Sequence, residues 1–203
     1  MKIGLVPMAA KPYHAGHHEL VKMAALQNDK VFVYVSMSDR KRKGELPILG
    51  SDMARIWQEH IEKILPGNVI PLYGGSPVRK VYEELERAEA KNSNDVYRVY
   101  SDPKDTAQNY KEANRLKNFP TLYQKGHVIF VAESDPDSVT RGIGTPNISG
   151  TAVREFIQCG NFDSFDQSMP EELDTNAVFD ILCPLSRKNE SYLRDFIAAI
   201  IKG

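Results

Sequence analysis

Val31-Phe32-Val33-Tyr34-Val35 is an uninterrupted β-prone run with no polar alternation. A strand with one wet face alternates apolar and polar residues. An unbroken run belongs to a strand covered on both faces, the mark of a parallel sheet between helices. Residues 2–6, 68–72, 96–100 and 128–132 read as further strands. Between them lie helical patterns. One follows His17, with Leu20, Met23 and Ala24. Another starts at Ser51, with Met53, Ile56, Trp57, Ile61, Ile64 and Leu65 on one face, and Pro66-Gly67 stops it. Ser76-Pro77 is an N-cap followed by a proline suited to a first helical turn, with Val78, Val81, Tyr82 and Leu85 as the apolar stripe. Residues 106–117 read as a helix with a polar exposed face, and the tail, including residues 192–201, reads as helical. This alternation predicts an α/β, Rossmann-like doubly wound parallel sheet of about five strands, with helices on both faces and a helical C-terminal tail. Ligands of such sheets bind at the carboxyl ends of the strands.

With 203 residues the chain suffices for one sizeable core, so a single domain over residues 1–203 is expected, its helical C-terminal part starting near residue 149. The 26 basic and 27 acidic residues balance, which argues against a general nucleic-acid surface. Two cysteines give no disulfide framework and suit a reducing cytoplasm. The N-terminus has no long apolar signal segment, and no apolar run approaches the ~20 residues of a spanning helix. The expectation is a soluble cytoplasmic protein with neither membrane nor nucleic-acid partner.

Two segments carry chemistry. The first is His14-Ala15-Gly16-His17, between the first strand and the first helix. A helix N-terminus there offers free N–H groups and positive dipole, a place phosphates favour. Gly16 lets a phosphate approach the backbone. A neutral imidazole donates to a phosphate oxygen, and an imidazolium stabilises charge growing on one. A zinc reading needs more ligands, and Cys159, Cys183, His60 and His127 are scattered without ligand spacing. The second segment is Ile148-Ser149-Gly150-Thr151-Ala152-Val153-Arg154. Ser149 reads as the N-cap of a helix whose apolar face holds Val153, Phe156 and Ile157 and which ends near Cys159-Gly160. The N–H groups of Gly150 and Thr151, the two hydroxyls and Arg154 can converge on one anion, with Arg141 upstream as a second guanidinium. Taken alone, this segment reads as an ordinary capped helix with a surface arginine.

Together, the pair resembles the nucleotidyltransferase superfamily of cytidylyltransferase-like α/β enzymes, which carry H-x-G-H after the first strand and I-S-x-T-x-x-R late in the chain. The second motif is similar to the form in nicotinamide-mononucleotide adenylyltransferases. The resemblance implies transfer of a nucleoside monophosphate from a triphosphate to a phosphorylated small molecule, with release of pyrophosphate. ATP and nicotinamide mononucleotide, giving NAD, are the expected pair. A cytidylyltransferase using CTP and a phosphorylated alcohol or sugar is the runner-up, and phosphopantetheine is a third acceptor. A non-catalytic nucleotide-binding regulator is the alternative of another class. An aminoacyl-tRNA synthetase is set aside, because the chain is short and has no Lys-Met-Ser-Lys-Ser loop.

The resemblance implies that His14 and His17 contact the triphosphate, with His17 at the α-phosphate. It implies that Ser149, Thr151 and Arg154, with Gly150 and Arg141, hold the β- and γ-phosphates. Mg²⁺ would be held by the nucleotide and water, with no protein ligand, and relatives are commonly oligomers. The family often writes Gly-x-Phe-x-Pro before its first histidine; Met8-Ala9-Ala10-Lys11-Pro12 matches only at Pro12. Lys11 reads either as a triphosphate contact or as a solvated loop lysine. Arg40-Lys41-Arg42-Lys43 reads either as a flexible charged loop or as a flap gathering phosphates. Ser38, Arg40 and Arg55 are candidates for the acceptor side. Asp102 and Asp105 suit ribose or base recognition, or helix capping. Tyr13 either touches ligand or packs the turn. His18 is expected at the surface, because consecutive helical residues point about 100° apart, Glu19 as a first-turn acid, and Trp57 in the core.

Overall fold

The computed structural model describes residues 1–183. The helix expected at 192–201 lies outside the described residues. Five strands, β1 (Lys2–Met8), β2 (Lys30–Val35), β3 (Val69–Tyr73), β4 (Val96–Val99) and β5 (Val128–Phe130), form one sheet in the order β3-β2-β1-β4-β5. Every pairing is parallel. The chain runs outward from β1 to β3, crosses back, and resumes with β4 on the other side of β1. The order therefore reverses between β1 and β4, where such sheets open a crevice at the carboxyl ends.

Period-2 geometry divides the core between two faces. In β1, Ile3 and Leu5 join one cluster, while Val6 and Met8 join the other. The Ile3 face is covered by α3 (Pro77–Ala90) through Val81, Tyr82, Leu85 and Ala88, with Phe119 and Leu122 beside them. The opposite face receives Val21 and Ala24 of α1 (Ala15–Gln27) and Met53 and Ile56 of α2 (Gly50–Ile56). Ser76 caps α3 by accepting the Arg79 N–H, and Pro77 occupies the first turn, as the sequence implies. No helix of the described residues is long and apolar enough to cross a membrane.

Three segments differ from expectation. The helix after residue 50 widens into a π turn at Trp57–Ile61 and closes as a 3₁₀ turn at Glu62–Ile64. The widening falls at Trp57, whose large side chain is fully buried. The helix expected at 106–117 is broken into α4 (Pro103–Asn109) and α5 (Glu112–Asn118). Tyr110 leaves helical geometry so that its ring enters the core beside Tyr82 and Phe130, and buried Arg115 binds its carbonyl through Nε at 2.6 Å. A polar helix face was expected there, yet Arg115 stays inside because Glu133 neutralises it. After α6 (Pro120–Gln124), β5 stops at Phe130, and Val131 and Ala132 continue as α7 (Val131–Ser134).

The chain ends its described part with α8 (Pro136–Val139), α9 (Gly150–Gln158), α10 (Phe162–Asp166) and α11 (Thr175–Leu182), the last three packing on the α1 side. Leu5 is fully buried in the central strand. Truncation there removes methylenes from a site that packed strands on both sides prevent from collapsing, so Leu5→Ala should lower unfolding free energy by about 2–5 kcal/mol, read as a fall in the denaturant midpoint.

Candidate functional site

The loop leaving β1 turns through Ala10, at φ +47°, and delivers His14 as the residue that precedes α1. The His14 carbonyl accepts the N–H groups of His17 and His18 at 2.9 and 3.1 Å, and Ala15 N–H goes to the Ser168 carbonyl. The start of α1 is therefore partly occupied by the protein itself. The rings of His14 and His17 lie with centroids 3.9 Å apart. Tyr13 stacks on His17 at 5.7 Å, and its buried ring meets Trp57 edge-on at 5.0 Å. Tyr13 therefore packs the turn, and Trp57 is core.

Gly16 is explained by this geometry in a way the sequence did not give: a Cβ there would lie 3.1 Å from His14 Cε1. The missing side chain makes room for the imidazole itself. His18 corrects the surface expectation. It is 2% exposed, its Nδ1 pairs with Tyr13 Oη at 3.1 Å, and Glu172 stands 3.9 Å from its Nε2. The helix turns it inward against the 168–172 segment, which sequence spacing does not reveal.

A cleft of about 240 Å³ opens where the sheet order reverses. His14, Gly16 and His17 line one side, Ser101, Asp102 and Asp105 another, and Arg141 the rim. Burial pushes the His14 imidazole down to about 4, helped by Arg141. Burial, then His14 and Arg141, hold His17 well below the usual imidazole range. Both rings are neutral at neutral pH, each carrying one N–H and one lone pair. Neither Nδ1 has a partner among the described residues. Asp102 caps α4 by accepting the Asp105 N–H at 2.8 Å, which supports its capping role, although both carboxylates line the cleft.

The second motif folds onto the first. Ser149 caps α9 through Ala152 N–H, as the sequence implies. Arg154 is only 4% exposed. Its Nη1 donates to the Lys11 carbonyl at 2.7 Å and its Nη2 to Thr151 Oγ1 at 2.9 Å, while Nε is buried and unpartnered. Reading it as an ordinary surface arginine is thereby excluded. Gly150 sits where a Cβ would be 3.3 Å from both Arg154 Nη1 and the Lys11 carbonyl oxygen. The motif is small there because the two loops touch.

Lys11 is buried, its ammonium donates to the Ser38 carbonyl, and burial lowers its pKa against the pull of Asp39. It is not a solvated loop lysine. It belongs to a second cleft of about 260 Å³, with Ser36, Ser38, Arg40, Lys41 and Arg42. The two clefts share Ala9 in their walls. Ser36, bonded to Ser38 Oγ at 2.9 Å, was not foreseen. The basic segment is no free loop: Arg40 and Ile48 exchange backbone hydrogen bonds of 2.8 and 3.0 Å. Glu45, also unforeseen, places one carboxylate oxygen within 2.9 Å of Arg40 Nε and 3.0 Å of Arg154 Nη2. Arg55 does not join the site. It is 58% exposed, pairs with Glu59 at 3.0 Å and lines neither cleft. The acceptor role expected of it finds no support in this placement.

Among the described residues no group of three or more His, Cys, Asp or Glu could hold a metal ion. No family model matches the sequence, and no curated protein matches it. Among solved structures, Thermotoga maritima TmcAL bound with alpha-thio ATP is similar, at 15% identity and a TM-score of 0.44. The likeness covers 93% of this chain and 56% of that one. A likeness of that degree does not bear on what the clefts bind.

The histidine pair makes stability pH-dependent. The unfolded chain protonates His14 near 6.5, whereas the folded chain holds it to about 4. The folded state thus loses stability as pH falls from about 6.5 through about 4, with His17 acting in the same direction. The melting temperature of His14→Gln should fall less steeply than that of the wild type over this interval. Parallel curves would contradict the buried neutral pair.

Proposed function

We propose that the chain is a nucleotidyltransferase that transfers a nucleoside monophosphate from a triphosphate to a phosphorylated small molecule. ATP is the proposed donor and nicotinamide mononucleotide the proposed acceptor, with NAD and pyrophosphate as products. The observation that carries this reading is the neutral His14–His17 pair, both Nδ1 atoms unpartnered, in the crevice at the β1–β4 reversal. A buried polar atom without a partner costs free energy unless a ligand supplies one. Both residues line the cleft, and neutral imidazoles there suit a ligand rich in hydrogen-bonding oxygens.

In this reading an oxygen of the acceptor phosphate attacks the α-phosphorus. A new P–O bond forms, the bond to the α–β bridging oxygen breaks, and its electrons leave with pyrophosphate. His17 donates an N–H to the α-phosphate as negative charge grows, and His14, its ring centroid 3.9 Å away, orients the same group. Their low pKa keeps them from accumulating charge beside Arg141. Arg141 and the Ser149–Arg154 turn take the departing phosphates. The two clefts adjoin at Ala9, and this reading puts the acceptor phosphate in the cleft of Lys11, Ser38 and Arg40. The work is positioning and charge stabilisation.

The donors present fit a nucleotide-borne Mg²⁺. Among the described residues, the carboxylates lining the first cleft are Asp102 and Asp105, and Asp102 already caps α4. Held by phosphate oxygens and water, the ion would neutralise triphosphate charge.

The test is pyrophosphate release with Mg²⁺, ATP or CTP, and nicotinamide mononucleotide, phosphopantetheine or glycerol 3-phosphate. ATP with nicotinamide mononucleotide should give release. Release with CTP alone would move the chain to cytidylyl transfer. Tight triphosphate binding without turnover across the panel would favour a regulator. His17→Ala should lower turnover by roughly 10²–10³ while the melting temperature persists. An unchanged rate in the folded variant would remove His17 from the chemistry.

A further inference from the structure

Glu45 is the unexpected member of the site. Three guanidinium nitrogens converge on its Oε2: Arg40 Nε at 2.9 Å, Arg40 Nη2 at 2.8 Å and Arg154 Nη2 at 3.0 Å. Arg40 lies in the second cleft. Arg154 carries the late motif and is tied to the loop between β1 and α1. The carboxylate thus sits on two groups that the proposed reaction assigns to phosphates. Two parallel donors from one guanidinium onto an oxyanion are how arginine holds carboxylate or phosphate, and the two anions are interchangeable in this geometry.

We propose that Glu45 is a tethered stand-in for a ligand phosphate, a latch that closes the Arg40–Arg154 anion site until a polyphosphate displaces it. The inference rests on the proposed function, because it takes the ligand to be a polyphosphate. The charge balance requires such a group. Without Glu45, Arg40 would face Arg154, itself buried to within 4% of its surface, across a gap sized for one oxyanion. Like charges so placed are costly. The Arg40 hydrogen bond, with Arg154 behind it, holds the Glu45 carboxyl below the usual range, so the latch is an anion at neutral pH.

The segment is built to release it. Leu46 and Ile48 are buried in the core, and the Arg40–Ile48 backbone pair fixes the base. Between them the chain turns through Gly44 at φ +82°, and the Glu45 side chain is 27% exposed. Rotation of one side chain into solvent opens the site without disturbing the base. The closed state is also incomplete, since Arg154 Nε remains buried without an acceptor. A polyphosphate has more oxygens to offer than one carboxylate. Because the latch is tethered five residues from Arg40, it competes at high effective concentration. It therefore yields first to a ligand with several phosphates, whose binding frees Arg40 for the acceptor phosphate.

The test is calorimetric binding of inorganic tripolyphosphate and of Mg·ATP to the full chain. Glu45→Gln keeps the shape and removes the charge, and Glu45→Ala removes the group. Glu59→Gln, in the exposed pair with Arg55, makes the same change in net charge elsewhere. Both Glu45 variants should bind both probes more tightly, on the order of tenfold, while Glu59→Gln matches wild type. Glu45 variants that bind no more tightly than wild type would overturn the latch and leave the proposed function standing. Equal tightening by Glu59→Gln would reduce the effect to net charge and also overturn it. Absence of binding by every protein would defeat the polyphosphate reading and the latch together.

Discussion

The hydrogen bond from Arg154 Nη1 to the Lys11 carbonyl, 2.7 Å long and spanning 143 residues of sequence, is the contact on which the site depends. It fixes the start of α9 against the loop between β1 and α1. Pro146 and Ile148, just before the Ser149 cap, line the histidine cleft, and the contact leaves little room for a side chain at Gly150. A buried bond to a charged donor contributes about 1.5–3 kcal/mol, and stranding the guanidinium costs more than that contribution. The junction closes the fold around β1 and seats a buried guanidinium against the loop that leaves that strand.

Around this junction the electrostatics are divided. The first cleft holds two imidazoles kept neutral by burial, with Arg141 exposed at its rim. The second is strongly basic, with Lys11, Arg40, Lys41 and Arg42 set against Asp39. In the proposed reaction, neutral donors would stand beside the reacting phosphorus and cations around the acceptor phosphate. Cations steer and hold anions, whereas neutral donors strengthen only as charge develops. Glu45 and Asp39 keep the cations of the basic cleft from repelling one another, with Asp39 paired to Lys41 at 2.7 Å and to the Gly50 N–H at 2.8 Å.

What was legible in the sequence follows from periodicity and capping. The β2 run, the Ser76-Pro77 start and the Ser149 cap are local signals, and the structure repeats them. The break at Tyr110 was not legible, because residues 106–117 keep helical propensity while an aromatic pocket far away in sequence pulls the ring inward. His18 could not be placed from spacing, since its burial depends on the 168–172 segment. Arg55 was a candidate through the resemblance, which often places an arginine early in that helix, with a surface arginine as the alternative; the exposed pair with Glu59 fits the alternative. Glu45 was masked by the four cations before it. An ion pair to Arg154, more than a hundred residues on, leaves no local signature.

The most direct measurement is a crystal structure of the chain with Mg²⁺ and an ATP analogue whose α–β bridge cannot be cleaved. The triphosphate is expected along His14, His17 and the Ser149–Arg154 turn, with Glu45 rotated off Arg154. A triphosphate bound away from both histidines, with the Arg154–Glu45 pair intact, would contradict the assignment of these two segments to a single phosphate site.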